Sequence, residues 1–333
     1  MGFCDFTFIL EACWISAFAM LGVLVRLWLG KLFELMQVTS ESTALFHDLP
    51  ANAMGCFLMG FLTSRDSLLK QLHPTVHIGT STGFLGSFTT FASWNLSVAD
   101  LFIMGQVASG FVALVIGTQT ALVSWVMGSQ LAAVVEYWFP ERVPEDDEEI
   151  VPFLKSHHLA YIGLPLLGIL FIGFSILVWQ DDGRNRDEVW IATLLAPVGA
   201  LGRWQLARLN KRGGWFFWGT YAANMLAISI DVVVESVIVA EETANLVLLA
   251  IPTGIAGCLS TVSTFVNEIQ SLQEHAGIKE AAEEIFEAEE EHEKKVPVAI
   301  KSMARQYIYV FASLASAQAL FLITYGTVSW SRG

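Results

Sequence analysis

GFLGSFTTFASW, residues 83–94, and GIAGCLSTVSTF, residues 254–265, decide how this chain folds. Each sets glycine and hydroxyl residues into the middle of a stretch that is otherwise apolar and long enough to cross a bilayer. A helix weakened in this way survives in a membrane only where other protein or a water-lined cavity satisfies the loosened backbone. Both stretches therefore read as breaks in membrane helices. The bilayer setting follows from composition: 54% of the 333 residues are hydrophobic, 15% are charged, and the mean hydropathy is +0.55. A soluble domain carries about 25% charged residues, so soluble enzymes, nucleic-acid readers and disordered tails are poor fits. The start, MGFCDFTFILEACW, lacks the basic n-region and small-residue cleavage site of a removable signal, and none is expected. Much of the net charge of −14 sits in ERVPEDDEE from Glu141 and KEAAEEIFEAEEEHEKK from Lys279, which read as solvated loops. Cys4, Cys13, Cys56 and Cys258 form no CxxC pair and suggest neither a disulfide framework nor a metal site.

Working outward from the two breaks, hydropathy divides the chain into nine expected spans. They run Ala12 to Phe33, Leu45 to Thr63, Pro74 to Asp100, Leu101 to Val135, Leu159 to Trp179, Val189 to Leu209, Trp215 to Val239, Ala244 to Gln270 and Lys301 to Trp330. With nine spans, twelve of the 18 Lys and Arg fall on the N-terminal side, among them Arg65, Lys70, Arg208 and Arg305. Four fall opposite (Lys31, Arg184, Arg186 and Arg332), and Arg26 and Arg203 lie within spans. Positive charge stays inside, which puts the N-terminus in the cytoplasm and the C-terminus outside.

Three signatures occur twice in the same order. Gly22-Val-Leu-Val-Arg26 returns as Gly199-Ala-Leu-Gly-Arg203, Ala51-Asn52 as Ala223-Asn224, and Gly83-Phe-Leu-Gly86 as Gly254-Ile-Ala-Gly257, at spacings of 177, 172 and 171 residues. Chance recurrence of Gly-xxx-small patterns accounts for one such match but not for the register of three. The expected organisation is a four-helix repeat over 1–135, an acidic linker with one connecting span over 136–187, and a second repeat over 188–333 with an acidic insert near 279–295. An even repeat followed by one span inverts the second copy, an arrangement that places sites at the midplane.

Few groups inside the spans can donate hydrogen bonds, and they cluster. Asn52 and Asn224 lie mid-helix, either as interhelical bonds worth about 0.6 kcal/mol or as donors to a permeant species. Ser87, Thr89, Thr90 and Ser93 correspond in order to Cys258, Ser260, Thr261 and Thr264, and either cap the broken ends or line a path. No His, Asp or Glu pair is read deep in any span; Glu11, Asp100 and Glu268 are read as lying near span ends. Arg26 and Arg203 either snorkel to headgroups or attract anions into a vestibule. Amide and hydroxyl donors, two positive helix N-termini and little carboxylate suit a small anion. Phe91 and Phe265, beside the breaks, can turn electropositive ring edges toward it, although core packing explains nearly all of the 23 phenylalanines.

These residues carry a resemblance. The two broken-helix motifs, the Asn of ANAMG and the Arg of GxxxR are similar to those of the fluoride channel family, the Fluc or CrcB proteins. Two four-helix halves joined by one helix resemble the fused eukaryotic branch, the fluoride export proteins of fungi and plants. The resemblance implies pore-lining roles for Asn52, Asn224, Phe91, Phe265, Thr90, Ser93, Thr261 and Thr264, with Tyr309 and Ser313 as a polar track on the last helix. It implies that Trp94 and Val262 stand where the family has phenylalanines, so that one path, pairing Phe91 with Phe265, works and the other is vestigial. It implies a structural Na⁺ held by the backbone carbonyls of Gly86, Thr89, Gly257 and Ser260. Ala227 departs from the pattern, standing where Gly55 stands in the first copy.

The expected function is thus a passive fluoride-selective channel, not an enzyme, in the plasma membrane. Its partners are fluoride and the lipid bilayer, with no nucleic acid and no nucleotide, and one chain acts as a pseudo-dimer. The alternatives are a proton-coupled anion transporter, which requires a titratable midplane residue, and a non-transporting receptor or scaffold working through its acidic loops.

Overall fold

The computed structural model describes residues 3–40, 42–64, 73–138, 157–181, 183, 186–212, 214–241, 246–273 and 298–331, and every regular element among them is helical. Six helices are long and apolar enough to cross a membrane: Phe6–Leu35, Val107–Trp138, Leu159–Gln180, Trp218–Ile238, Leu248–Gln273 and Ile300–Trp330. Leu49–Thr63 is a shorter apolar helix. The acidic runs at 141–149 and 279–295 lie outside the described residues.

In chain order, α1 is Phe3–Leu35 and α2 is Leu49–Thr63. Helix α3 starts as Pro74–Ile78, loosens into a π-helical stretch at Gly79–Leu85 and ends in Gly86–Phe88. After the break come α4, Phe91–Ile103, and α5, Val107–Trp138. Helix α6 comprises His157–Tyr161 and Gly163–Gln180. Helix α7 has a π-helical start at Arg186–Ile191, a body at Ala192–Leu206 and a 3₁₀ end at Ala207–Lys211. Helix α8 is Trp218–Glu241, and α9 is Leu246–Ile251, Pro252–Ala256 and Gly257–Leu259. Helix α10 is 263–273, and α11 runs through Val298–Leu320, Phe321–Gly326 and Thr327–Trp330. The turn between α4 and α5 falls at 104–106, later than the Asp100/Leu101 boundary expected from hydropathy. Gly105 supplies the reversal with φ +76°, and Gln106 N–H closes it on the Leu101 carbonyl at 2.8 Å.

Small residues set how closely the helices approach. Ile15, Ala19 and Val23 of α1 pack against Ala196 and Ala200 of α7, all fully buried. The glycines of the repeated signatures make matching contacts in the two halves. A Cβ on Gly22 would collide with the Phe84 carbonyl, and one on Gly199 with the Ile255 carbonyl. Likewise Gly83 sits against the Ile15 carbonyl and Gly254 against that of Ala192. Each GxxxR glycine thus lets its own helix lie directly on the π-helical part of α3 or α9. By contrast α6 buries little, reaching the rest through Trp14, whose indole N–H donates to the Ala160 carbonyl at 3.0 Å.

Candidate functional site at the paired helix breaks

Helix α3 stops because Thr89 (φ −103°, ψ 147°) and Thr90 (φ −137°, ψ 127°) are extended, and α4 resumes at Phe91. Helix α9 stops at Ser260 (φ −82°, ψ 161°), and α10 resumes at 263. Each interruption strands the N–H groups of the helix that begins and the carbonyls of the helix that ends. Away from water, every stranded group needs a partner.

The N–H groups are capped by exchange between the halves. Ser260 Oγ accepts from Phe91 N–H and Ala92 N–H, both at 3.2 Å, while Thr89 Oγ1 accepts from Val262 N–H at 3.2 Å and Ser263 N–H at 3.1 Å. Thr90 Oγ1 and Thr261 Oγ1 cap their own helices by accepting from Ser93 N–H and Thr264 N–H at 3.3 Å. Asn52 acts as a surrogate peptide: its Oδ1 accepts from Thr90 N–H at 2.9 Å and its Nδ2 donates to the Thr90 carbonyl at 3.1 Å. Asn224 does the same with Thr261, at 2.9 and 3.4 Å. One N–H of each amide remains to be offered elsewhere.

The stranded carbonyls go to the two arginines. Arg26 Nη1 donates to the Ser87 and Gly257 carbonyls at 3.1 and 2.9 Å, and its Nη2 donates to that of Thr253 at 2.6 Å. Arg203 Nε donates to the Cys258 carbonyl at 3.0 Å and its Nη2 to that of Thr82 at 2.7 Å. At the repeat spacing Ser87 corresponds to Cys258 and Thr253 to Thr82, so each guanidinium ties its own half's break to the other half's. The side chains are 2% and 4% exposed. They reach neither headgroups nor a vestibule, because orphan carbonyls lie nearer than water.

Phe91 and Phe265 meet edge to face, with centroids 5.4 Å apart and planes at 66°. Phe265 continues to Tyr309 at 5.0 Å. Tyr309 O–H donates to Glu268 Oε2 at 2.8 Å, and Glu268 Oε1 accepts from Asn210 Nδ2 at 2.8 Å and from Thr220 Oγ1. Ser313 Oγ, on the same helix as Tyr309, is buried without a hydrogen-bond partner. Ser93 Oγ donates to Asp48 Oδ2. Thr264 Oγ1 accepts from Thr261 Oγ1 at 3.4 Å. Trp94 meets Phe91 edge to face at 5.7 Å and reaches toward α5, donating to the Ala113 carbonyl at 3.3 Å and stacking on Phe46 at 6.0 Å. It fills the space over Gly117, where a Cβ would lie 2.5 Å from its Nε1. Val262 offers only its backbone N–H.

Three buried carboxylates escaped the sequence reading, Asp48 beside Ser93, Glu268 and Asp231. Glu268 is 6% exposed and enclosed by donors, not at a free helix end; its separation of three from Phe265 was the available signal. Asp231 lies in α8 two turns past Asn224, 2% exposed, with Oδ1 unpartnered and with Glu235 and Arg26 as its charged neighbours. The expectation of no acidic pair deep in a span therefore fails at Asp231 and Glu235. Among the described residues, no side chain donates to the carbonyls of Gly86, Thr89 or Ser260, and that of Gly257 accepts from Arg26. A carbonyl has two lone pairs, so the bond from Arg26 leaves each of the four expected ligand oxygens able to accept a cation.

A family model described as CrcB-like protein, camphor resistance (CrcB), matches residues 13–130 and 190–325. Fluoride export protein 1 of Neurospora crassa is 24% identical over 384 residues, covering 95% of this chain and 66% of that protein. Fluoride export protein 1 of Candida albicans is 26% identical over 292 residues, covering 77% of this chain and 71% of that protein. The fluoride-specific ion channel FluC of Haemophilus influenzae is 33% identical over 114 residues, covering 34% of this chain and 86% of its own length. The chain thus spans just under two thirds of the Neurospora relative. No solved structure matches it.

The hydroxyl exchange at the breaks has a measurable weight. Ser260→Ala and Thr89→Val should each destabilise the protein by about 1–2 kcal/mol, seen as a lowered melting temperature in detergent. Ser175→Ala, whose exposed hydroxyl bonds within its own helix, should leave it unchanged.

Proposed function

The chain belongs to the CrcB-like family, and from that premise we propose that it is a passive fluoride-selective channel exporting cytoplasmic fluoride. The observation that carries this reading is the edge-to-face meeting of Phe91 and Phe265 from the two matched segments, beside two helix breaks and two pore-side amides. Family membership, the names of the relatives and this geometry support the reading together. A negative-inside potential favours anion exit by roughly 2.3 kcal/mol per charge per 100 mV, so no energy source is required.

Within the proposal, the six long apolar helices, Leu49–Thr63 and the runs 74–103 and 186–211 make nine spans. They form two inverted repeats, 1–135 and 188–333, joined by 136–187. One chain then supplies the whole channel, in the plasma membrane, with its N-terminus cytoplasmic and its C-terminus outside. Only the path past Phe91, Phe265, Tyr309 and Ser313 conducts. On the other path Trp94 closes the space over Gly117, and Val262 has no ring edge to offer. Reconstituted protein should pass fluoride and not chloride, read with ion-selective electrodes on loaded liposomes. Phe91→Ile and Phe265→Ile should each cut fluoride efflux at least tenfold, a barrier increase of about 1.4 kcal/mol or more. Val262→Ala and Trp94→Phe should leave most of it. About half the flux surviving in each phenylalanine variant would mean two open paths.

The buried Glu268 and Asp231 favour one second reading, fluoride movement coupled to protons, since intramembrane carboxylates commonly mark relays. A channel passes fluoride at equal pH on both sides, and a proton gradient alone drives no accumulation. Accumulation driven by the gradient and lost in Glu268→Gln or Asp231→Asn would replace the channel with a coupled transporter.

The proposal also includes a structural Na⁺ held by the carbonyls of Gly86, Thr89, Gly257 and Ser260. When bound it would supply positive charge where two carbonyl ends face each other, a task Arg26 and Arg203 already share. Replacing Na⁺ by N-methylglucamine throughout purification should slow efflux. Unchanged efflux after exhaustive removal would leave the arginines as the sole cations of the crossing.

A further inference from the structure

We propose that Asn95 is a further donor along the conducting path, and that Gln318 is a positioning residue fixing which end of the Asn95 amide the path meets. The inference rests on the channel reading above and adds two residues that it does not contain. Asn95 lies one turn past Phe91 on α4 and is fully buried. At the equivalent place in the other half stands Val266, so only the half that contributes Phe91 carries an amide here.

A buried amide must account for one acceptor and two donor hydrogens. Asn95 Nδ2 donates to the Phe91 carbonyl at 2.8 Å. Gln318 Nε2, from α11, donates to Asn95 Oδ1 at 2.9 Å and to the Asn95 backbone carbonyl at 3.1 Å. Both hydrogens of Gln318 are then used, and its Oε1 has no partner that would anchor it otherwise. Turning the Asn95 amide by 180° would set its NH₂ against the NH₂ of Gln318 and its oxygen against the Phe91 carbonyl. Two favourable contacts would become two like-pole contacts, each leaving a buried polar group unpaired at about 1–3 kcal/mol. The orientation is therefore locked, and the one donor hydrogen Asn95 has left is an N–H.

That polarity is what a dehydrated anion needs. Asn95 follows Phe91 by four residues and so shares its face of α4, while α11 brings Tyr309 to Phe265 and Gln318 to Asn95. Ser313 Oγ, 1% exposed and unpartnered, is a buried polar atom of the kind that water or a permeant species satisfies. Helix α5, beside Trp94, turns inward Gly110, Ala113, Gly117 and Ala121, none of them an amide, while its Gln119 and Gln130 are exposed.

The competing account makes the pair a stitch between helices, and variants separate the two. Asn95→Asp keeps the size and an oxygen to accept from Gln318, but removes both N–H donors, the spare one and the one on the Phe91 carbonyl, and adds an ionisable group. Asn95→Val installs the residue of the other half. Gln318→Met keeps volume and neutrality while releasing the amide to turn. In liposomes, with melting temperatures measured in parallel, Asn95→Asp and Asn95→Val should each lower fluoride efflux at least tenfold. Gln318→Met should lower it about twofold or more, as the donor-facing population falls. Melting temperatures should move by only a few degrees. Efflux within twofold of wild type in Asn95→Val, or full efflux in Gln318→Met, would overturn the proposal. Failure of either Asn95 variant to fold leaves the decision to Gln318→Met. Absence of fluoride efflux from the wild-type protein would instead overturn the channel reading beneath it.

Discussion

Stranded backbone at two helix breaks placed against each other is the constraint on which the rest of the structure depends. In a soluble protein water would satisfy the loosened N–H and carbonyl groups; inside a bilayer only the protein can. Four kinds of side chain divide the task. Hydroxyls exchanged between halves take the new N-termini, asparagines bridge Thr90 and Thr261, and guanidiniums take the carbonyl ends. The forked arginine donors explain why arginine stands at both places. Lysine carries its donors on one nitrogen and does not reach three carbonyls spread over two helices.

Because the Ser260 and Thr89 caps and both guanidiniums cross between segments, neither break is satisfied by its own half alone. The matched glycines complete this dependence by setting α1 on α3 and α7 on α9 closely enough for Arg26 and Arg203 to arrive. The near-identical contacts then make the differences informative. Phe265, Glu268, Asp231 and Ser313 lie in the second matched segment, and Phe91 and Asn95 in the first. In the proposed reading all but Asp231 line the path through the ring pair, while Gly117, Val262 and the bulk of Trp94, whose ring also meets Phe91, belong to the second path. Backbone satisfaction holds the architecture symmetric, and side chains not needed for it are free to diverge.

Much of this was legible in the sequence. The breaks announced themselves through glycine and hydroxyl residues in apolar surroundings, and the register of three short signatures paired Asn52 with Asn224 and Arg26 with Arg203. What the sequence left open was which partner each polar group finds. An arginine seven residues inside a span, as Arg26 is, snorkels or stays according to whether unpaired carbonyls lie within reach, and those carbonyls are sixty to more than two hundred residues away in the chain. Glu268 was set aside because distance along the helix suggested an end, whereas Tyr309, Thr220 and Asn210 close over it from three other elements. Asp231 and Glu235 were missed by a simpler route: valines fill the positions between them and mask the i, i+4 pair.

The buried carboxylates also decide which groups are left for an anion. Tyr309 commits its proton to Glu268 and Ser93 commits its proton to Asp48, so two hydroxyls that composition alone would count as donors already serve a carboxylate. Glu268 in turn is surrounded by three donors, which hold both its carboxyl oxygens within their own cage. The groups the proposed function leaves for an anion are then amide N–H groups, aromatic edges and the uncommitted hydroxyl of Ser313. These are weak donors individually, and weakness is appropriate. A conducting site must compensate the loss of water enough to admit the ion yet release it at the next position, a balance that a bare guanidinium on the path would tip toward capture. Tying both arginines to backbone carbonyls keeps their charge at the crossing while keeping their N–H groups off the path.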